Sequence, residues 1–230
     1  MTMDTLTTST PIPTSLSPSP LPSNPKDPSS SFSTFPFPPH HSFPPFFTLQ
    51  PNLTTLSRQL TLWSTLIQSY CAHFRLFRLS LSDASTSPLF HNSAINRRLD
   101  LLSIRRVIDW MASPDGDRRA EYVLSVPGGG GKRREAATIP NEQKTVAWVY
   151  WRRVEEWADA IYAWVDGTGQ RGSVLTVYEL REGEETEGAE WRGMDEELFR
   201  RCLEVLVKRG RAQVFNTGQG GAGGEGVKFF

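Results

Sequence analysis

Residues 195–230 read DEELFRRCLEVLVKRGRAQVFNTGQGGAGGEGVKFF, and their pattern decides the fold. Asp195 stands where an N-cap belongs. Leu198, Cys202 and Leu206 then recur at helical spacing, Lys208 and Arg209 fall in the last turn, and Gly210 follows. The helix gives way to a strand, Ala212–Phe215, a glycine loop, and a second strand, Val227–Phe230. Helix, strand, loop, strand is the end of a winged helix, a helix-turn-helix variant with a β-hairpin wing. The last strand is expected to pair with Ala212–Phe215 and to bury at least Phe229.

Working backwards, Glu155 and Glu156 open a helix striped by Trp157, Ile161 and Trp164 and ended by Gly167 and Gly169. Val174–Val177 begins as a strand and runs into Tyr178-Glu179-Leu180. The same order precedes it. Asn52 is a candidate N-cap for a long helix with apolar positions Leu56, Leu60, Trp63, Ile67, Tyr70, Phe74 and Phe77, spaced alternately four and three apart. Leu79–Leu81 reads as a short strand, and Asp83–Phe90 as a short helix interrupted by Pro88. Asp100 can cap a helix that buries Leu101, Ile104, Ile108 and Met111. Strands are predicted at Tyr122–Val126 and Val146–Trp151, separated by the Gly-rich, basic loop GGGGKRREAATIPNEQ (128–143). The order helix, strand, helix, helix, strand, loop, strand therefore occurs twice. The predicted class is α+β: two tandem winged helices, 52–153 and 154–230, behind a Pro/Ser-rich tail.

Composition sharpens these boundaries. The chain has 230 residues with 25 basic and 25 acidic side chains, yet the zero balance hides a division. Residues 1–51 hold 13 of the 17 prolines and three charges. Residues 52–153 carry 15 basic and 8 acidic side chains, and 154–230 carry 9 and 15, balances of +7 and −6. Residues 1–35 are too poor in large apolar groups to offset backbone entropy and are expected to be disordered. Residues 36–51 set aromatics between prolines. Such a strip either packs on its own domain or plugs a pocket in another protein.

Several classes drop out. No run of 18 apolar residues occurs, so no membrane-spanning helix is expected. The N-terminus lacks the pattern of a secretory signal. The two cysteines, Cys71 and Cys202, make neither a disulfide framework nor a Cys-x-x-Cys zinc site, and a reducing cytosolic compartment fits them. Gly218–Gly223 matches G-x-G-x-x-G but opens no helix, and Gly128–Lys132 lacks the first glycine and the Ser/Thr of a phosphate loop. Cys71 and His73 are two apart on one helix and point away from each other. No cofactor, metal or catalytic residue is expected. A winged-helix DNA-binding regulator is the alternative. Its recognition helices would offer Arg105 and Arg106, or Arg200 and Arg201 amid Asp195, Glu196, Glu197 and Glu204. A domain at −6 repels phosphate.

The string PPHHSFPPFFTLQPN (38–52), with Gln59-Leu60 and Trp63 behind it, resembles the vacuolar protein-sorting-associated protein 25 family, the small winged-helix subunits of ESCRT-II, in a fungal form. The likeness continues through Pro88–Asn92, Trp151–Trp157, Ile161–Val165, Thr176–Glu184 and Gly226–Phe230. It implies a non-catalytic subunit joined to two larger ESCRT-II subunits through Pro-Pro-x-aromatic motifs. It also implies that the second winged helix recruits the nucleating ESCRT-III subunit, in sorting ubiquitinated cargo into multivesicular bodies. Location would be cytoplasmic and peripheral on endosomes, with membrane reached only through the complex. Residue by residue, the partner-binding candidates are Pro38, Pro39, Phe43, Pro44, Pro45, Phe46, Phe47 and Arg97. His41 stands where the first motif often has Tyr, and Val154 replaces a common proline. Glu184, Glu185 and Glu187 are candidates to face a basic ESCRT-III helix.

Overall fold

The computed structural model describes residues 34–124, 136–216 and 225–230. The expectations for residues 1–33 of the tail, for residues 128–135 of the Gly/basic loop and for Gly218–Gly223 lie outside these; at the end of the expected tail Phe35 is instead buried against the first core. Residues Phe35–Phe230 form one compact unit. Its first half runs α1 (Leu53–Phe74), β1 (Arg78–Ser80), α2 (Leu81–Ala84), β2 (His91–Asn92), β3 (Arg97–Arg98), α3 (Leu101–Ala112), β4 (Ala120–Tyr122) and β5 (Val146–Val149). The second half runs α4 (Val154–Gly167), β6 (Val174–Thr176), α5 (Val177–Glu182), α6 (Glu196–Lys208), β7 (Ala212–Asn216) and β8 (Glu225–Phe229).

The sheets have the orders β1-β5-β4 and β6-β8-β7, all antiparallel. In each half the last strand sits in the middle and pairs with the strand after the first helix. The same plan thus occurs twice, and both copies are winged helices. Ala212 lies opposite Phe229, as the expected pairing requires, and Phe229 is fully buried while Phe230 is 52% exposed.

Local signals explain most boundaries. The Asn52 carboxamide accepts from Thr55 N (3.1 Å), the Asp100 carboxylate from Ser103 N (2.9 Å) and the Asp195 carboxylate from Leu198 N (3.3 Å). Thr176 and Glu179 bond reciprocally across the first turn of α5. Helix α1 ends earlier than its stripe predicts, because Arg75 turns left-handed at φ 52° and Leu76 N closes on Cys71 O (2.8 Å). The helix expected at 83–90 is only the single turn of α2, placed earlier, with turns running through Pro88. The first wing strand starts at Ala120 rather than Tyr122, and the two-residue ladder β2–β3 has no periodic signal long enough to read.

Two cores result. The first gathers Trp63, Ile67, Leu81, Phe90, Ile104 and Ile108; the second gathers Trp157, Ile161, Phe199, Leu203 and Phe229. Strand β5 serves both. Ala147 and Val149 face the first core, while Trp148 and the following Tyr150 enter the second, the alternation of a strand read across two hydrophobic bodies. Phe77, expected on the α1 stripe, leaves that helix and packs on Trp151 (4.6 Å) and Trp157 (6.0 Å) in the second core.

Candidate protein-docking surfaces

The Pro-aromatic strip folds into two 3₁₀ turns, Pro39–Ser42 and Pro44–Phe47, each with proline in its first turn, where φ is already set and no N–H is needed. His41 N bonds Pro38 O (2.9 Å) and Phe46 N bonds Phe43 O (2.9 Å). The two turns are set one motif position apart, and the last residue of each copy, His41 and Phe47, is buried at 4% exposure. Phe46 stacks on Trp63 with ring centres 4.1 Å apart and planes 14° apart. The Trp63 indole N–H donates to Phe46 O (3.2 Å), and Gln59 Nε2 donates to Phe46 O (2.8 Å) and Thr48 O (2.9 Å). Gln59 Oε1 accepts from Gln50 N (3.0 Å).

This arrangement corrects the expectation that Phe46 and Phe47 face a partner. Both are filled into the chain's own first core. The reason lies in α1. Trp63 offers a flat apolar face and a buried N–H that needs an acceptor, and the strip supplies a ring and a carbonyl to the same residue. Gln59 is the functional residue that composition did not flag. A polar side chain on the buried face of α1 clamps three strip groups at once.

The solvent face of the strip carries the remaining candidates. Phe43 is 59% exposed, Pro39, Pro44 and Pro45 are exposed, and Pro38 is half-buried. Arg97 projects from the β2–β3 ladder opposite Asn92 and is exposed. Next to it a cavity of about 430 Å³ is lined by Phe47, Leu49, Arg98, Asp100, Leu102 and Arg106, among others. Leu102 is 68% exposed. Among the described residues Arg97, Arg98 and Arg106 make no ion pair, so this surface combines apolar groups with three arginines against the single carboxylate of Asp100.

The acidic candidates occupy the other half. Glu184, Glu185 and Glu187 are all exposed, the first two on a 3₁₀ turn, Glu184–Thr186. Glu184 and Glu185, with Glu179, rim a cavity of about 360 Å³ floored by Trp164, Leu175 and Leu180. Gln170 Nε2 donates to Glu185. Glu187 lies outside the cavity.

Three of the four arginines that a DNA reader would use are engaged elsewhere, while Arg106 stays exposed beside the cavity at Phe47 and Leu102. Arg105 Nε donates to Lys144 O (3.3 Å). Arg200 pairs with Glu196 (2.6 Å) and Glu225 (2.9 Å). Arg201 pairs with Glu121 of the first half (2.8 Å) and with Glu197 (3.3 Å), and lies 4.2 Å over the Trp148 ring. Arg78 reaches back to Asp195 (3.1 Å) and Arg153 to Asp117 (2.6 Å). Helix α6 is thus turned against β4 and β5. Cys71 and Cys202 are both fully buried, and burial pushes the Cys71 thiol up to about 12. Among the described residues no three His, Cys, Asp or Glu side chains are grouped to hold a metal ion.

A family model described as the ESCRT-II complex subunit matches residues 40–195. The chain belongs to this ESCRT-II family. It is similar to vacuolar protein-sorting-associated protein 25 of Xenopus laevis, 36% identical over 196 residues that cover 85% of this chain and 99% of the relative. The Homo sapiens protein of that name is 34% identical, covering 86% and 98%, and the Drosophila melanogaster one 36%, covering 85% and 98%. Among solved structures, subunit VPS25 of the endosomal trafficking complex ESCRT-II superposes with a TM-score of 0.68 at 27% identity. It is covered to 98%, using 84% of this chain. The endosomal complex ESCRT-II (VPS22/VPS25/VPS36) has a chain that matches with a TM-score of 0.65 at 28% identity and the same coverages. The ESCRT-II match takes in the second Pro-Pro-x-aromatic copy, Arg97 and all three glutamates, and the family replaces the DNA-binding alternative.

Proposed function

We propose that this chain is a non-catalytic subunit of an ESCRT-II complex, joining two larger subunits through its first winged helix and recruiting ESCRT-III through its second. One observation carries the reading: the chain accounts for nearly the whole length of a subunit whose solved complex also contains VPS22 and VPS36. Residues 35–153 act together as the docking unit, because the strip is packed on the first core. Contact to the larger subunits falls to Phe43, Pro39, Pro44, Pro45 and Arg97, with Phe46 and Phe47 holding their platform from beneath. The work is endosomal sorting of ubiquitinated cargo. No helix among the described residues is long and apolar enough to cross a membrane, and attachment to the endosome passes through the complex.

Capture of the two larger subunits by the full chain tests this. Phe43→Ala and Arg97→Glu change exposed side chains and should leave the melting temperature unchanged. Burying one Phe is worth roughly 1.5–3 kcal/mol, so Phe43→Ala should weaken capture about tenfold or more. Capture equal to the parent chain's by both variants refutes the assignment. For the acidic face, Glu184, Glu185 and Glu187 changed together to Lys should slow association with the ESCRT-III subunit, and the parent's association rate should fall as salt rises. A salt-independent rate unchanged by the triple reversal leaves these glutamates without that role.

A further inference from the structure

The first motif copy ends in a histidine held in a single protonation state. The His41 ring stacks on Phe37 (4.2 Å, 20°) and meets Phe47 edge-on (5.2 Å). Its Nε2 lies 3.3 Å from Leu89 O, a carbonyl that can only accept, so Nε2 carries a proton. Its Nδ1 lies 3.3 Å from Asn92 Nδ2, an amide that can only donate, so Nδ1 must be bare. Asn92 is not free to turn round. Its Oδ1 accepts from Ala94 N (3.0 Å) and its Nδ2 also donates to His41 O (2.8 Å), and a flip would break both bonds. A second proton on His41 therefore meets a donor that cannot yield.

His40 adds to the effect. It lies edge-on to Phe46 at 4.8 Å, and its Nε2 is buried with no hydrogen-bond partner among the described residues. Among the described residues neither strip histidine pairs with a carboxylate. The charged groups on the neighbouring elements are Arg58 of α1, Asp83 of α2, Arg97 and Arg98 of β3, Asp100 at the cap of α3, and Arg105, Arg106 and Asp109 of α3. Asp100 bonds Ser103 N (2.9 Å) and Oγ (2.7 Å). The other titratable rings are His91 on β2 and His73 on α1, the latter 5.4 Å from Phe35. Burial lowers the pKa of both strip histidines. For His41 the carbonyls of Leu89 and Pro88 oppose this, and the charge on His40 adds to it.

We propose that His41, seconded by His40, is a proton-sensitive latch: the Pro-aromatic strip stays on the first winged helix while both imidazoles are neutral and comes away when they are protonated. The direction follows from linkage. A histidine whose value is depressed in the closed state protonates more readily once released, so closure is fully supported above the ordinary value of 6.5. Support is lost as pH falls from there towards the depressed value, by up to tenfold per pH unit for each proton taken up. The latch concerns the strip's own attachment, so its test needs no partner.

Amide hydrogen exchange on the full chain, corrected for intrinsic rates, reads it directly. The reporters are His41, Phe43, Phe46 and Thr48, whose N–H groups bond within the strip. Between pH 7.5 and 5.5 their protection should fall, by up to about tenfold for each histidine, while that of α6 changes little. The variant with His40→Phe and His41→Phe should hold its protection across the same range. If that variant does not fold, His40→Phe alone should retain a smaller pH response than the parent. Strip protection that is flat with pH in the parent, or that falls equally in the variants, overturns the latch.

Discussion

Phe229 and Phe230 are adjacent residues of one type, and the sheet assigns them opposite fates. Strand β8 is the central strand of its sheet, paired to β6 on one side and β7 on the other. Successive side chains of a strand point to opposite faces, so Phe229 enters the second core at 0% exposure and Phe230 stands 52% exposed. Phe229→Ala removes a fully buried ring and leaves a cavity in the second core. The expected loss is about 3–5 kcal/mol. For a unit of this size each kcal/mol shifts the melting temperature by about 2–4 °C, giving a drop of roughly 6–20 °C. Phe230→Ala should cost no more than about 0.5 kcal/mol and move the midpoint by a degree or two, since its ring already meets water. Thermal melts of the two full-length variants, followed by circular dichroism, make the comparison. Two variants that melt together, whether low or unchanged, would refute the register and the alternation.

Other outcomes can be checked separately. At pH 7.5 Phe47→Ala should reduce the exchange protection of the strip amides and lower the melting temperature, because the ring belongs to the first core. An unchanged chain would return Phe47 to the partner-facing set. Arg201→Ala should cost about 1–2 kcal/mol in a urea titration, less than a fully buried pair because a quarter of the guanidinium side chain is exposed. It should also shift Trp148 emission, since the guanidinium lies over that indole; unaltered emission would place the ring elsewhere. The Cys71 thiol, pushed up to about 12, stays protonated at pH 8. It should resist alkylation there until denaturant is added, and rapid labelling of the native chain would contradict its burial.

Much of the design is legible in the residues. Caps at Asn52, Asp100 and Asp195 and stripes at spacings of three and four place α1, α3 and α6 to within a few residues. Short-range chemistry suffices there, because a cap bonds an amide three residues on and a stripe needs only a nearby body to cover it. Phe43 and Arg97 follow from motif resemblance and Glu184 from the acidic clustering of the second half, and the structure leaves all three accessible. The strip was ambiguous for a definite reason. Proline and phenylalanine state that an apolar surface wants covering and fall silent on which protein provides the cover. Gln59 stands in the stretch that carries the family resemblance, but its role as a clamp is not legible, because a lone glutamine between apolar positions looks like a helix surface residue until three partners converge on it.

The sequence by itself determined the order of elements, their repetition, and therefore two winged helices, since period and capping are local properties of the chain. The tertiary structure alone decided which bodies meet. Strand β5 and its continuation, VAWVY, is apolar at every position, and no period within it says that Ala147 and Val149 serve one core while Trp148 and Tyr150 serve another. Arg201 carries no mark that it will cross to Glu121, 80 residues away, instead of meeting a phosphate. Phe46 becomes core because Trp63 offers it both a face and a donor. Each of these depends on which surface arrives opposite, and that is settled by long-range packing.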